Sequence, residues 1–300
     1  MKVLITGGSG LLGSAVAFHF KDYFDTIFTY TSHEVTINGC KSTRLDIRER
    51  KDTLRLIKEI NPDVIVHTAA LVGMNICEKN QELAFKVNFE GTKNIIDAAN
   101  NSKIIYISTD YVFDGKKGNY KETDGANPIN VYGKTKLHGE RLIDTEDNVI
   151  VRTSIYGWNI IKERKSFSTW VIDELKNSRK LSVFVDQFNS MMLVNNCAEA
   201  LKEVVEKDIR GILNIASGER TSKYDFAVKC AEVFDFDKKL ISEIKNREIG
   251  DYEKRPLDVS LDITKAKRLL KTKLLDVNES LSILKKLHRD QYLDNFQVNT

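Results

Sequence analysis

Proline is scarce in this sequence, three in 300 residues, and no low-complexity tract or internal repeat occurs. Nothing therefore reads as a flexible linker. The four cysteines (Cys40, Cys77, Cys197 and Cys230) include no C-x-x-C pair. That excludes a zinc ribbon or thioredoxin-type site and makes reduced, mostly buried thiols the expectation. The five histidines form no H-x-x-x-H pair, so no catalytic metal is expected. No apolar run approaches the ~18 residues that a membrane span needs. Residues Met1–Gly7 run directly into a glycine turn, without the longer apolar stretch and small-residue cleavage site of a signal peptide. A cytoplasmic protein is expected. An excess of either charge is missing as well: 46 basic against 43 acidic residues leave a net +3. That is no electrostatic footprint for nucleic acid or an anionic membrane.

What is present points to an α/β chain. At roughly 150 residues per domain, this length suggests two domains or one large domain with an appendage. A hydrophobic content of 41% suffices for a sizeable core. Apolar runs at 2–6, 26–31, 42–45, 64–68, 103–108 and 148–153 read as strands. They alternate with helical patterns at 11–20, 51–60, 82–100 and 131–142. Such alternation implies a doubly wound parallel sheet reached by right-handed crossovers. Val64-Ile65-Val66 and Ile104-Ile105-Tyr106-Ile107 show no polar alternation, which fits strands covered on both faces. After about residue 153 the pattern loosens. A helix at 166–177, short strands at 181–185 and 211–216, and a helix at 223–234 suggest a smaller lobe folded over the sheet's carboxyl edge. The expected division is a dinucleotide-binding domain over 1–154, with strands returning around 181–216. The smaller lobe then takes 155–180 and 217–300.

Gly7, Gly8, Gly10 and Gly13 lie between the first strand and the first helix. They satisfy both G-x-G-x-x-G and T-G-x-x-G-x-x-G. Glycines permit the tight turn and close backbone approach to a pyrophosphate, and the helix opening at Leu11 and Leu12 offers free N–H groups. A glycine triplet alone is a weak signal; its position between a strand and an apolar helix is the context the motif needs. The same fingerprint expects an acid about 20 residues on, to hold the ribose of NAD. Here the second strand ends at Tyr30-Thr31-Ser32-His33. No carboxylate repels a 2′-phosphate, and Ser32 and His33 are placed to contact one. NADPH is expected to be preferred modestly, with NADH also accepted, because no arginine stands beside them in sequence. Asp46 and Ile47, after the third strand, are candidates to cap the adenine.

Tyr132 and Lys136 form a Tyr-x-x-x-Lys pair, which a helix places on one face. About one such match arises by chance in a chain this rich in lysine, so placement carries the argument. Tyr132 begins the helix after the fifth strand, and Ser108-Thr109-Asp110 end that strand, where ligands of doubly wound sheets bind. Reducing a ketone by hydride creates an alkoxide that needs a proton. A phenol's ordinary pKa of about 10 is too high for easy exchange, and a neighbouring ammonium lowers it. The Thr109 hydroxyl is suited to orient the carbonyl by a hydrogen bond.

The string Ser108-Thr109-Asp110-Tyr111-Val112-Phe113-Asp114-Gly115, with Pro128, Tyr132-Gly133-Lys134 and Lys136, resembles the dTDP-4-dehydrorhamnose reductase family. Val87-Asn88, Arg152-Thr153-Ser154, Asp186-Gln187-Phe188, Ser217-Gly218-Glu219-Arg220 and Arg255-Pro256 extend the resemblance over nearly the whole chain. It implies Thr109, Tyr132 and Lys136 as catalytic residues. It implies Ala69, Ala70, Asn88, Ser108, Arg152 and Ser154 around the cofactor. Val72, Thr109, Asp110, Tyr111, Ile155, Gln187 and Arg255 are the expected substrate contacts, Arg255 as a diphosphate ligand. Lys162, Arg164 and Lys165 read as a solvated basic turn, and Phe167 and Trp170 as core. Hexose 4,6-dehydratases carry Asp-Glu after the threonine, where this chain has Asp110-Tyr111. Epimerase-reductases carry a cysteine where Asp110 stands. A simple ketoreductase remains. The chain departs from the family at Asn189-Ser190-Met191-Met192, usually Gly-Ser-Pro-Thr, and at Ile155, usually tryptophan, which leaves the sugar open. Ser14-Ala15-Val16 replace the glutamate used in magnesium-bridged dimers, so a homodimer, if formed, is expected to be of another kind.

The implied activity is NAD(P)H-dependent reduction of a nucleotide-linked 4-keto-6-deoxy sugar. Two alternatives stay open. One is a regulatory NADP-binding protein, since the β subunit of methionine adenosyltransferase shares the glycine loop and the Y-G-K-T-K-L string. The other is an epimerase that retains NAD.

Overall fold

The computed structural model describes residues 1–246, 255–289 and 292–299. Its centre is a seven-stranded sheet in the order Gly211–Asn214, Val149–Thr153, Lys103–Thr109, Val64–His67, Lys2–Thr6, Asp25–Tyr30, Lys41–Arg44. Every neighbouring pair runs parallel. Val64–His67 is buried along its whole length, as a strand with helices on both faces must be. From the first strand the chain winds out to one edge, then crosses back to build the other half. The order therefore reverses between Lys2–Thr6 and Val64–His67. This reversal opens a crevice at the carboxyl ends of the two strands, the usual ligand position in such sheets.

Three apolar cores support this frame. On one face of the sheet, the Leu11–Phe20 and Val194–Glu206 helices pack together around Val16, Phe20, Cys197, Leu201 and Val204. On the other, Ile57 and Ile95 from the flanking helices cover Leu4, Ile65 and Ile104. A separate core joins Tyr156, Val171, Leu175, Leu181, Phe226, Cys230 and Leu284.

The structure differs from the sequence expectations in four places. Leu181–Phe184 does not return to the central sheet; it pairs in parallel with Ile241–Ile244, inside that separate core. Only Gly211–Asn214 of the 181–216 stretch joins the main sheet. The helices Met74–Lys79, Val194–Glu206 and Val277–Arg289 were not anticipated. In the second of these, Val194, Cys197, Ala198, Leu201, Val204 and Val205 are buried at helical spacing, so the period was there to be read. The helix expected over 82–100 is three pieces: Gln81–Phe85, a π-helical turn at Lys86–Gly91, and Thr92–Ala98. Finally, Phe296–Asn299 pairs antiparallel with Glu34–Ile37, and Tyr292 and Phe296 pack on the Phe18 ring at 5.5 and 5.3 Å. Among the described residues no helix is long and apolar enough to cross a membrane.

Candidate active site

The glycine loop lies at the mouth of the crevice. Gly7 has φ +74°, and a Cβ there would sit 2.8 Å from the Cα of Ala69; a Cβ on Gly13 would sit 2.3 Å from the Gly7 carbonyl oxygen. The turn is packed too closely for side chains at these positions. Gly10 is the N-cap of the Leu11–Phe20 helix, no side chain caps it, and its first turn carries no acid. Helix N-terminal N–H groups left open in this way favour an anion. Ala69 and Ala70 line the opposite wall, with the Ala69 N–H donating to Thr6 Oγ1 at 3.3 Å. These features fit the pyrophosphate of a dinucleotide.

At the end of the second strand, Ser32 Oγ and His33 Nδ1 share a hydrogen bond of 2.9 Å on an exposed turn. Tyr30 is tied to Glu34, and burial followed by that carboxylate raises its pKa. Sequence reasoning missed Arg44. Strand register sets it beside Tyr30, and its Nε donates to the Thr31 carbonyl at 3.2 Å, fixing the guanidinium next to Ser32 and His33. Asp46 is gripped by Arg48, chiefly through their side-chain hydrogen bonds, which lower its pKa. Ile47 is turned into the core at 5% exposure, and its carbonyl accepts from Asn94 Nδ2 at 2.9 Å. Of this pair only Asp46 reaches the surface.

Thr109, Tyr132 and Lys136 come together at the carboxyl end of Lys103–Thr109. The Val131–Glu140 helix starts where it does because Asn130 Oδ1 accepts the Gly133 N–H at 2.8 Å and Glu78 accepts the Val131 N–H at 2.7 Å. Tyr132 therefore sits on the first turn, against Thr109 and Tyr111. Burial raises the Tyr132 pKa well above its usual value, with a hydrogen bond to Thr109 pulling the other way. Thr109 Oγ1 donates to Asp110 Oδ1 at 3.0 Å and accepts the Tyr111 N–H at 3.2 Å. Lys136 is 3% exposed, and its ammonium lies over the Tyr106 ring, 4.0 Å from the centroid. Burial lowers its pKa to about 7, opposed by Glu140. The sequence reading has Lys136 depressing the phenol, but in the structure burial governs both groups.

Several residues expected around the cofactor have their side chains occupied elsewhere. Asn88 is fully buried by the π-helical turn. It accepts the Leu71 N–H at 2.8 Å and donates to the Leu71 carbonyl and to Thr135 Oγ1, both at 3.0 Å. It thus ties the loop after Val64–His67 to the helix bearing Tyr132. Ser108 Oγ donates to Glu140 at 2.5 Å. Arg152 makes a two-pronged bond to the same carboxylate, at 3.0 and 2.7 Å, with both partners buried. Sequence reasoning did not find Glu140. Cys77, beside Tyr132, is a buried thiol whose pKa burial raises to about 11, so it is no nucleophile. The described residues hold no cluster of His, Cys, Asp and Glu suited to a metal.

On the far side of Thr109, Asp110 is 1% exposed. Asn189 Nδ2 donates to it at 2.6 Å, and Ser154 also hydrogen-bonds it. Burial raises the pKa of Asp110 and, further, of Tyr111. Val72 is exposed at 58%, Ile155 is half-buried, and Gln187 is buried with its Nε2 on Asn246. Arg255 reaches Asn75 Oδ1 at 2.9 Å and acts electrostatically on Tyr111. Lys223, another residue the sequence reading did not single out, faces the same space.

The family model described as RmlD substrate binding domain matches residues 1–288. The chain is 31% identical over 280 residues to a dTDP-4-dehydrorhamnose reductase of Aggregatibacter actinomycetemcomitans, spanning 88% of this chain and 91% of that protein. It is 29% identical over 278 residues to methionine adenosyltransferase 2 subunit beta of Danio rerio, with 89% and 84% covered. A crystal structure of dTDP-4-dehydrorhamnose reductase from Bacillus anthracis in complex with NADP superposes with a TM-score of 0.84 at 25% identity, covering 95% and 98% of the two chains.

Proposed function

We propose that this chain, which belongs to the RmlD substrate-binding domain family, reduces the keto group of a nucleotide-linked 4-keto-6-deoxy sugar with NADPH, Tyr132 donating the proton. Membership makes it an NAD(P)-dependent oxidoreductase of the nucleotide-sugar reductase kind. The observation that supports the finer reading is the hydrogen bond between Tyr132 and Thr109 at the sheet's carboxyl edge, with Lys136 one turn along the same helix, next to an uncapped helix N-terminus. The glycine loop and the open N–H groups at Leu11 and Leu12 hold the pyrophosphate. When bound, the reduced nicotinamide supplies the hydride. Burial keeps the proton on the Tyr132 phenol at neutral pH, the form a reduction requires, and the carbonyl oxygen takes that proton as charge builds on it. Thr109, once it turns from Asp110, donates to the same oxygen and fixes its direction. The nucleotide-linked sugar lies against the separate core, between Val72, Ile155 and Arg255.

The test is NADPH consumption with a panel of 4-keto-6-deoxy sugar nucleotides, and a reduced sugar product is expected. A chain that binds NADPH but reduces none of them overturns the reading in favour of a regulatory role, as the name of the Danio rerio relative would suggest.

NADPH is expected to be used with a modestly higher kcat/KM than NADH. Arg44→Ala should lower kcat/KM for NADPH about tenfold, the scale of one lost charge-assisted hydrogen bond. The NADH value should stay within about twofold. A wild-type preference for NADH, or equal losses with both cofactors, would remove the 2′-phosphate from this corner.

A further inference from the structure

Lys223 is the first residue of the Lys223–Phe234 helix, and its N–H donates to the Gln187 carbonyl at 2.9 Å. Its ammonium points back toward the site. There it meets Met191 Sδ at 3.1 Å and the face of the Phe167 ring, 4.4 Å from the centroid. Among the described residues no oxygen accepts from it and no carboxylate lies within ion-pair distance. An ammonium has three donors, and a thioether is a weak acceptor. The nearest anion, Asp110, already takes bonds from Asn189 and Thr109. Burial lowers the Lys223 pKa to about 8, Asp110 opposing and the Arg255 cation adding to the shift. Lys223 is half-buried; a donor partly cut off from water and left without an oxygen partner is costly, and an arriving acceptor relieves that cost.

Resting on the nucleotide-sugar reading above, we propose that Lys223 is a specificity-determining residue that donates to an oxygen of the substrate's sugar ring. Position chooses the ring over the diphosphate. Asp110, whose charge acts on Lys223, is bonded to Thr109, so Lys223 faces the reacting end of the substrate. Arg255, held by Asn75 on the Met74–Lys79 helix, is left to the diphosphate. Met191, whose sulfur touches the ammonium, is one of the positions where the chain departs from its family.

The experiment measures binding calorimetrically, with NADP⁺ present, for dTDP and dTDP-glucose and for UDP and UDP-glucose. It uses the wild type, Lys223→Met, Lys223→Gln and Arg255→Met, after circular dichroism confirms folding. For whichever nucleotide sugar binds the wild type more tightly, Lys223→Met should weaken binding about tenfold or more. Binding of the matching nucleoside diphosphate should change by less than about twofold. Lys223→Gln, which keeps a donor, should recover part of the loss, and Arg255→Met should weaken both ligands. Equal losses on both ligands in Lys223→Met would assign the ammonium to the diphosphate and overturn the proposal. Unchanged binding of both would make Lys223 a purely structural cation. If neither nucleotide sugar binds a wild type that binds NADP⁺, the nucleotide-sugar reading itself falls, and the Lys223 assignment with it.

Discussion

Tyr132→Phe is expected to lower kcat by about 10²–10⁴-fold, the usual worth of a positioned general acid, while the fold survives. Phenylalanine keeps the ring against Tyr111, whose centroid lies 6.2 Å away in an edge-on arrangement, and removes only the hydroxyl. The Kd for NADPH should move little, because the glycine loop and the first turn of Leu11–Phe20 are untouched. Lys136→Met should also lower kcat, since losing the cation leaves the phenol a weaker acid. Lys136 has its folded pKa lowered to about 7, so its cation is present below that pH and fades above it. The difference between wild type and Lys136→Met should therefore be largest at acidic pH. Single-turnover rates with a 4-keto sugar nucleotide across pH would settle both points. A Tyr132→Phe enzyme working at near wild-type rate would rule the phenol out as the proton source.

Breaking the Arg152–Glu140 pair should cost about 3–5 kcal/mol of stability, because either single change leaves an ion buried without its partner. Both side chains are only 4% exposed, so solvent gives little relief. Arg152→Met strands Glu140 with Ser108 alone, and Glu140→Gln strands the guanidinium over the Phe113 ring, 5.0 Å from its centroid. The double variant Glu140→Met, Arg152→Met should regain most of the loss, since apolar replacement of a whole buried pair is often nearly neutral. Urea midpoints for the wild type, Arg152→Met, Glu140→Met and the double variant measure the coupling. Glu140 also raises the pKa of Lys136, so Glu140→Gln should move the Lys136-dependent part of the pH profile to lower pH. The resemblance placed Arg152 at the cofactor. An Arg152→Met protein of unchanged stability but weakened NADPH affinity would restore that role.

What the sequence disclosed was local. The glycine loop, the first strand and its helix occupy consecutive residues, and Tyr132 and Lys136 meet because a helix brings every fourth residue round. The residues that escaped reach the site through register. Arg44 stands at the cofactor end because Lys41–Arg44 lies beside Asp25–Tyr30 with Tyr30 opposite it. Asn189 reaches Asp110, and Lys223 comes within range of its charge, because Phe188–Asn189 pairs antiparallel with Thr221–Ser222. Neither pairing leaves a periodic trace in the chain. Glu140 went unread for a different reason: on a helix surface it looks solvated, and only the buried Arg152 on the next strand gives it a purpose. Leu181–Phe184 is legible as a strand, but apolar content does not name a partner, and it pairs outside the central sheet.

The π-helical turn at Lys86–Gly91 carries a consequence for anyone seeking a sturdier version of this protein. A π turn holds one residue more than the α-helix around it, a locally unfavourable insertion. Deleting one residue there would give an unbroken helix with better backbone geometry. The flanking faces would stay nearly in register, because the bulge itself absorbs the extra residue. Ile95 and Ala98 would keep the core, while Asn88, inside the bulge, would turn away from Leu71 and Thr135. Smoothing this irregularity would trade a small gain in helix for the clasp that ties the Leu71 loop to the helix bearing Tyr132.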